Sequence, residues 1–255
     1  MKLLRLGSSQ DAPGRVPPEY SLEHLIREGL SRELGEPVEV LTKPIWPTAR
    51  LPELVRGWMT DFQPDFVRMG VVGYWFMYES VPLKLQRRFG RPGQAVGDAG
   101  KRATEVPWIA HNAAFRFGRR VAQRTIGGAT PFSAEQVVAC VTATLSEVVR
   151  HEGVMVQLRG PDGRARIGDY SKSAIDRMEL RRKDVTGQLA ALCARHHVTF
   201  VGYDEPRWRA GTAPPRSGDG IHAGIEGNVA EAAEVIREIA SQVQRERPEH
   251  ASARV

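Results

Sequence analysis

The sequence predicts an α/β protein: a three-layer α/β/α, doubly wound sheet of five parallel strands. Three observations lead there. Five short runs rich in β-branched and apolar residues are spaced along the chain, and each is separated from the next by at least one segment of helical periodicity. The 255 residues, 41% of them hydrophobic, suit one domain with a sizeable core better than two small ones. Strands that alternate with helices pair in parallel through right-handed crossovers, which puts helices on both faces of the sheet.

The elements follow in order. Lys2 to Leu6 is the first strand run, and Leu22, Leu25, Ile26, Leu30 and Leu34 then recur at helical spacing. Pro37 to Leu41 is the second run, followed by Leu51, Leu54, Val55, Trp58, Met59 and Phe62 on one helical face. Phe66 to Val72 is the third. Ser133-Ala134-Glu135-Gln136 has the form of a capping box and opens a helix carrying Val137, Val138, Val141, Leu145, Val148 and Val149. Val154 to Leu158 is the fourth run, Met178 to Ala194 fits a long helix, and Val198 to Tyr203 is the fifth run. A last helix places Val229, Ala232, Ala233, Ile236, Ile239, Ala240 and Val243 on one face. The domain is expected to span 1–245, with 246–255 a flexible polar tail. An insertion at about 81–130 interrupts the alternation: Gly/Pro-rich Phe89 to Gly93 is followed by a helical segment around Pro107 to Arg124, placed to act as a lid, a substrate wall or a plain surface excursion.

Bulk properties exclude several classes. No apolar run reaches the length of a membrane span, and Met1 to Leu6 is too short for a signal-peptide core, so a cytoplasmic protein without membrane partners is expected. The net charge of +6 comes from arginines scattered in pieces such as Arg87-Arg88, Arg119-Arg120 and Arg181-Arg182-Lys183. That distribution reads as solvated helix faces, and no nucleic-acid partner is expected. Cys140 and Cys193 each fall in an apolar helical pattern, where a buried thiol is the usual reading; no metal-ligand spacing occurs, and neither a metal nor a cofactor is expected.

The chemistry-bearing residues lie near the two ends. Asp219 precedes His222 by three residues in the Gly-rich stretch Ser217-Gly218-Asp219-Gly220-Ile221-His222-Ala223-Gly224, directly before the last helix. A carboxylate so placed can hold one imidazole nitrogen while the other takes a proton, and a serine after the first strand, in Gly7-Ser8-Ser9, would complete a hydrolytic triad if the fold joins the two ends. Ligands of open parallel sheets sit beyond the carboxyl ends of the strands. Ser8 and Ser9, Gly73 to Phe76, and Asp219 to His222 all follow strands at that edge.

On these residues the chain resembles the SGNH (GDSL-like) hydrolase family, whose fold is flavodoxin-like. The first block of that family, a strand then Gly-Asp-Ser, corresponds to Gly7-Ser8-Ser9, and its last block, Asp-x-x-His before the final helix, to Asp219-Gly220-Ile221-His222. The order of strands and helices matches over roughly 1–245. The resemblance implies a serine esterase or acyl-transferring hydrolase acting on a small ester, with Ser9 the nucleophile, His222 the base and Asp219 its orienting partner; Ser8 stands in the place of the family's Asp. It implies an oxyanion or substrate site near Ser8, Trp46, Thr48, Gly73, Tyr74 and Trp75. Two blocks depart from the pattern. The second-block Gly is replaced by Lys43-Pro44-Ile45-Trp46-Pro47-Thr48-Ala49, so that Ile45, Trp46, Thr48 or Ala49 would supply a backbone N–H, since proline has none. The third block reads Val72-Gly73-Tyr74-Trp75-Phe76, without the Asn, and Tyr74 or Trp75 would have to donate instead.

Blander readings stand beside these. Asp219 can cap a helix beside a surface His222, Ser9 can satisfy local backbone groups in a turn, and Tyr74 to Tyr78 can pack beneath the insertion instead of forming an acyl or aryl pocket. His111-Asn112 lies in the insertion, where Asn112 is a remote substitute for the missing Asn. His196-His197 sits at the opposite sheet edge, suited to a helix C-terminus. Arg216 faces either solvent or an anionic substrate group. The alternatives to an esterase are a catalytically weakened SGNH-like domain that binds a ligand or protein partner, and a flavodoxin-like protein whose Gly7-Ser8-Ser9 loop holds a phosphate.

Overall fold

The computed structural model describes residues 1–7, 16–92, 95, 112, 117–118, 121, 125–161, 172–202 and 224–247. Its strands are β1 (Lys2–Gly7), β2 (Glu39–Pro44), β3 (Phe66–Gly70), β4 (Met155–Arg159) and β5 (Thr199–Val201). The helices are α1 (Leu22–Leu34), α2 (Leu51–Phe62), α3 (Val81–Phe89), α4 (Ala134–Val148), α5 (Lys172–Arg195) and α6 (Ile225–Glu246). All strand pairs are parallel, in the order β2-β1-β3-β4-β5. Each expected strand run is therefore a strand of one sheet.

Period-two alternation sorts the side chains between the faces. Leu4, Leu6, Val67, Met69, Val156 and Leu158 share a core with Val55 and Met59 of α2, Val141 and Leu145 of α4, and Val185 and Leu189 of α5. Leu3 and Phe66 turn the other way, onto Ile26 and Leu30 of α1 and Val235 and Ile239 of α6. The helices form for the local reasons the sequence suggests. Ser21 caps α1 by accepting from His24 N–H at 3.3 Å, and Gly35 ends it at φ 67°, a conformation that favours glycine. At α4 the capping box is reciprocal: Gln136 N–H donates to Ser133 Oγ at 3.2 Å and Ser133 N–H to Gln136 Oε1 at 2.8 Å.

The strand boundaries differ from the sequence reading in one informative place. β2 begins at Glu39 and runs to Pro44, because Thr42, Lys43 and Pro44 register with Arg5, Leu6 and Gly7. An edge strand needs hydrogen bonds on one side only, which is where proline and lysine are tolerated. β5 is confined to Thr199–Val201, and Tyr203 lies outside the described residues.

Much of the 81–130 insertion, including most of Pro107 to Arg124 and His111, lies outside the described residues, but its base is well defined. Ser80 N–H donates to the Ala129 carbonyl at 2.8 Å, and Ala129 N–H returns the bond at 3.0 Å. A Cβ on Gly128 would stand 2.4 Å from Glu79 Cβ, so glycine allows the two segments to approach this closely. Glu79 is then clasped from α5, accepting from Arg181 Nη2 at 2.8 Å and Arg177 Nη2 at 3.2 Å. The excursion is thus closed at its base and fastened to the body of the domain.

Candidate active site

With the order β2-β1-β3-β4-β5, connections wind to opposite sides at β1 and β3, and the crevice beyond their carboxyl ends is where such sheets place ligands. β1 ends at Gly7 and β3 at Gly70. Ile45 N–H donates to the Gly7 carbonyl at 3.0 Å and Val71 N–H to the Arg159 carbonyl at 2.9 Å, so both following loops start against the sheet edge.

These loops carry the candidate substrate residues. Trp46, 46% exposed, meets Tyr74, 47% exposed, edge to face with ring centroids 6.2 Å apart. Phe132, just before α4, approaches Trp46 at 6.2 Å, and Tyr78 lies 6.4 Å from Tyr74. The result is an aromatic cluster at the carboxyl edge with two half-exposed rings. Gly73 opens the 3₁₀ turn Gly73–Trp75, and its carbonyl accepts from Met77 N–H at 2.8 Å.

The side chains of that turn divide between surface and core. Trp75 is 2% exposed and packs in the core shared with Ile45 and Phe76, while its N–H donates to the Val72 carbonyl at 3.1 Å. The expectation that Trp75 faces substrate is therefore corrected: the turn directs Tyr74 outward and Trp75 inward. The backbone donors of the second block also narrow. Ile45 N–H is committed to Gly7, and Thr48 N–H to the Trp46 carbonyl at 2.8 Å, which leaves Trp46 and Ala49 of the four candidates. Cys140, half-buried on α4, donates its thiol to the Thr48 carbonyl at 3.4 Å and helps hold this loop. Burial raises the Cys140 thiol above its ordinary range and pushes Cys193 up to about 11, so neither has the lowered pKa of an activated cysteine.

Ser8, Ser9, Asp219 and His222, with Arg216, lie outside the described residues. Their flanking elements are defined. Gly7 at the end of β1 immediately precedes Ser8, and Gly224 is the N-cap of α6 just after the Asp219–His222 block. Asn228, on the first turn of α6, donates from Nδ2 to the Tyr20 carbonyl at 3.0 Å. That bond ties the start of α6 to the stretch that follows the Ser8–Ser9 block. His196 and His197 come directly after α5 and before β5, at the amino edge of the sheet, remote in the topology from this site. Among the described residues no group of three His, Cys, Asp or Glu side chains is placed to hold a metal ion. Nor is any described helix long and apolar enough to cross a membrane.

Beneath the crevice, the α6 face of the sheet changes character along the strands. Toward the amino edge it carries Leu3, Phe66 and Met155; nearer the carboxyl edge it carries Arg5, Arg68, Gln157 and Arg159. Arg5, Arg68 and Gln157 stand in register across three adjacent strands. α6 answers with carboxylates: Glu238 accepts from Arg68 Nη2 at 2.5 Å, and Glu231 accepts from Arg159 Nη1 at 3.0 Å with Arg5 Nη2 at 3.9 Å. Arg68 also bonds Gln157, whose Nε2 reaches Gln242 at 3.1 Å. Burial, and then the nearby Arg159, push the Arg68 guanidinium down to about 10 against the pull of Glu238. The sequence reading missed this row. Its signal is a charged or amide residue (Arg5, Arg68, Gln157 and Arg159) within strands otherwise buried on both faces, a pattern that demands partners on the covering helix.

Glu79 and Glu231 make the fold acid-sensitive. Burial alone would raise both carboxyls, but Arg177 and Arg181 around Glu79, and Arg159 and Arg5 around Glu231, hold them below the ordinary value of 4.5. A carboxyl depressed in the folded state contributes stability that is complete above its unfolded value and is lost as pH falls through the folded one. The melting temperature should thus decline below pH 4.5, and less steeply in Glu79→Gln, where one of these linkages is gone. Equal slopes for wild type and variant in a thermal scan against pH would exclude Glu79 as a contributor.

Comparison with known proteins places the fold. No protein-family model and no curated protein sequence matches the chain. Among solved structures, it is similar to Est24, a carbohydrate acetylesterase from Sinorhizobium meliloti, at 13% identity and TM-score 0.50, over 94% of this chain and 99% of that one. It is similar also to the psychrotrophic esterase EstA from Pseudoalteromonas sp., at 11% identity and TM-score 0.52, over 95% and 98% of the two chains. TesA gives 16% identity and TM-score 0.50 over 96% and 99%. The five-stranded parallel sheet with helices on both sides, matched over nearly the full length of such neighbours, is the SGNH (GDSL-like) hydrolase fold.

Proposed function

We propose that the chain is a serine ester hydrolase of the SGNH type, acting on a small ester through an acyl-enzyme at Ser9. The observation that carries this reading is the sheet order, which puts the strand leading into Ser8-Ser9 at the topological switch point, beside the aromatic loops after β2 and β3. The start of α6, directly after Asp219 and His222, is bound to Tyr20 on the far side of the Ser8-Ser9 segment, which supports bringing the two blocks together. The fold neighbours Est24 and EstA are esterases, in keeping with ester chemistry.

In this mechanism His222 takes the Ser9 hydroxyl proton as Oγ attacks the ester carbonyl carbon, and Asp219 stabilises the imidazolium. The tetrahedral oxyanion is met by the Ser9 N–H, by Trp46 or Ala49 N–H, and by the Tyr74 hydroxyl. Collapse breaks the carbon–oxygen bond to the alcohol, which leaves with the proton from His222. Water, deprotonated by His222, then attacks the acyl carbon; the bond from that carbon to Ser9 Oγ breaks, Oγ takes the proton back from His222, and the carboxylic acid leaves. The Trp46–Tyr74–Phe132 cluster receives a planar or apolar part of the substrate. Trp46→Ala should accordingly raise KM for an aryl ester roughly tenfold while leaving KM for a short alkyl acetate near the wild-type value. Equal effects on both substrates in steady-state kinetics would remove Trp46 from the binding site.

A second reading, a weakened SGNH-like domain that binds a ligand or partner, is favoured by one set of facts: Ile45 and Thr48 N–H are already engaged, Trp75 is buried, and the family's Gly and Asn are missing. Intact mass after exposure to a fluorophosphonate separates the two. The hydrolase forms one adduct, lost in Ser9→Ala and His222→Ala and kept in Ser8→Ala. A folded wild type that forms none is the binding domain.

A further inference from the structure

The net charge of the chain is not spread evenly. Positions 81–130 hold ten Lys and Arg against two Asp and Glu, a balance of +8, while the rest of the chain holds 26 against 28, a balance of −2. The whole excess of +6 therefore belongs to the insertion, and the remainder is slightly acidic. A chain polarised in this way is attracted through its insertion to an anionic partner and gains nothing from the rest of its surface.

Helix α3 presents this charge together with apolar surface. None of its side chains is buried, whereas the apolar stripe of an amphipathic helix ordinarily faces a core. At about 100° of turn per residue, Val81, Leu85 and Phe89 line up along one side of it. Lys84 and Arg87 turn the other way, onto the returning segment 127–131: Arg87 Nη2 donates to the Pro131 carbonyl at 2.7 Å, and Lys84 Nζ stands 3.0 Å from where a Cβ on Gly127 would be. With that side occupied, the stripe points away from the segment, and its outer end, Phe89, is 54% exposed. The Arg88 guanidinium lies over the Phe89 ring, 5.4 Å from its centroid, and Arg91 just beyond the helix is exposed as well. The pose is fixed from below. Ser80 Oγ caps α3 by accepting from Leu83 N–H at 3.4 Å, and the paired bonds between Ser80 and Ala129 hold the start of the helix. Further along the insertion, Phe117 and Val121 are also exposed apolar side chains.

We propose that α3 and the turn after it are a docking surface for an anionic lipid bilayer, with Arg88 and Arg91 at the headgroup phosphates and Leu85 and Phe89 at the boundary with the acyl chains. This inference does not rest on the hydrolase reading of the preceding subsection. Binding in the plane of a membrane needs no spanning helix: an apolar stripe flanked by Lys and Arg is enough to hold a helix at the headgroup level. The aliphatic part of the stripe favours lipid over nucleic acid, because a phosphodiester strand meets the cations and can stack on Phe89 but offers nothing to Val81 and Leu85. An acidic protein fits less well, since one helix of nine residues falls short of the roughly 800 Å² that each partner buries in a stable complex. Each Lys or Arg close to an anionic bilayer strengthens binding about fivefold, an effect that salt screens.

The test is co-flotation of the full chain with vesicles of phosphatidylserine and phosphatidylcholine in equal parts, and with vesicles of phosphatidylcholine alone. Three variants accompany the wild type, each first shown by its melting temperature to be folded: Arg88→Gln/Arg91→Gln, Phe89→Ser, and Lys183→Gln/Arg195→Gln. The last removes the same charge from two exposed positions of α5, outside the insertion. The expected result is wild type that floats with the mixed vesicles at about 0.1 M salt, is released at about 0.5 M, and ignores phosphatidylcholine alone. Arg88→Gln/Arg91→Gln should bind roughly tenfold more weakly or worse and Phe89→Ser about threefold more weakly, while Lys183→Gln/Arg195→Gln should bind as wild type does. Wild type that stays unbound, or binds both kinds of vesicle equally, would overturn the proposal. Equal losses in the two charge pairs would overturn it too, because net charge and not α3 would then be responsible. Unchanged binding of Phe89→Ser would overturn the seating of the stripe in the bilayer. Release of the wild type from the mixed vesicles by an equal phosphate concentration of a single-stranded oligonucleotide would replace the lipid with a nucleic-acid partner.

Discussion

Ser9→Ala should lower ester hydrolysis by about 10⁴-fold or more, with little change in KM or melting temperature. The Ser9 hydroxyl oxygen is the attacking atom in the proposed reaction, and alanine has none. Ser8→Ala, one residue closer to β1, should leave most of the rate, because Ser8 stands where the family has a residue outside the triad. His222→Ala should fall as far as Ser9→Ala, and the double variant no further, since nucleophile and base act as one unit. The pH profile gives a second check. A histidine base is active only when neutral, so kcat/KM should rise with pH and level off once the base has lost its proton. Steady-state hydrolysis of a chromogenic acetate measures all of this, and a Ser9→Ala enzyme within tenfold of wild type would sink the assignment.

Much of the architecture was legible because the hydrophobic pattern here is local. Leu22, Ile26 and Leu30 are spaced for one helix face, and they bury that face in α1. Ser133 and Gln136 spell a capping box and form one. β2 was read too short because its last residues, Thr42 to Pro44, carry no apolar signal; pairing with Arg5, Leu6 and Gly7 extends the strand. Non-local information was the harder part. Tyr74 and Trp75 are adjacent aromatics, and nothing in their order tells that a 3₁₀ turn sends the first to the surface and the second into the core. The spent N–H groups of Ile45 and Thr48 are likewise invisible until the neighbouring strand is in place. The buried arginines were missed for the opposite reason. Charge in a short strand reads as an edge or a surface, and only the position of β1 and β3 at the centre of the sheet turns Arg5 and Arg68 into residues that need α6.

Glu238→Ala should destabilise the fold by about 3 kcal/mol, a loss that lowers the melting temperature by on the order of 10 °C in a chain of this size. The cost comes from what remains rather than from what is removed. Arg68 is 3% exposed, and its Nη2 loses the carboxylate it bonds at 2.5 Å, so the guanidinium is left charged in a medium that cannot solvate it. Gln157 still bonds Arg68 from β4, but an amide oxygen neutralises no charge. Arg159 and Arg5, both repelling Arg68, then act without the opposing attraction of Glu238. Removing the arginine together with its partner gives the contrast that identifies this cause. Arg68→Met/Glu238→Leu should melt within a few degrees of wild type, because an apolar pair of similar volume incurs no desolvation of charge. Thermal unfolding of the single and double variants at neutral pH therefore separates a lost contact from a stranded charge: if the double variant is as unstable as Glu238→Ala, packing around α6 is the cause, and the charge is not.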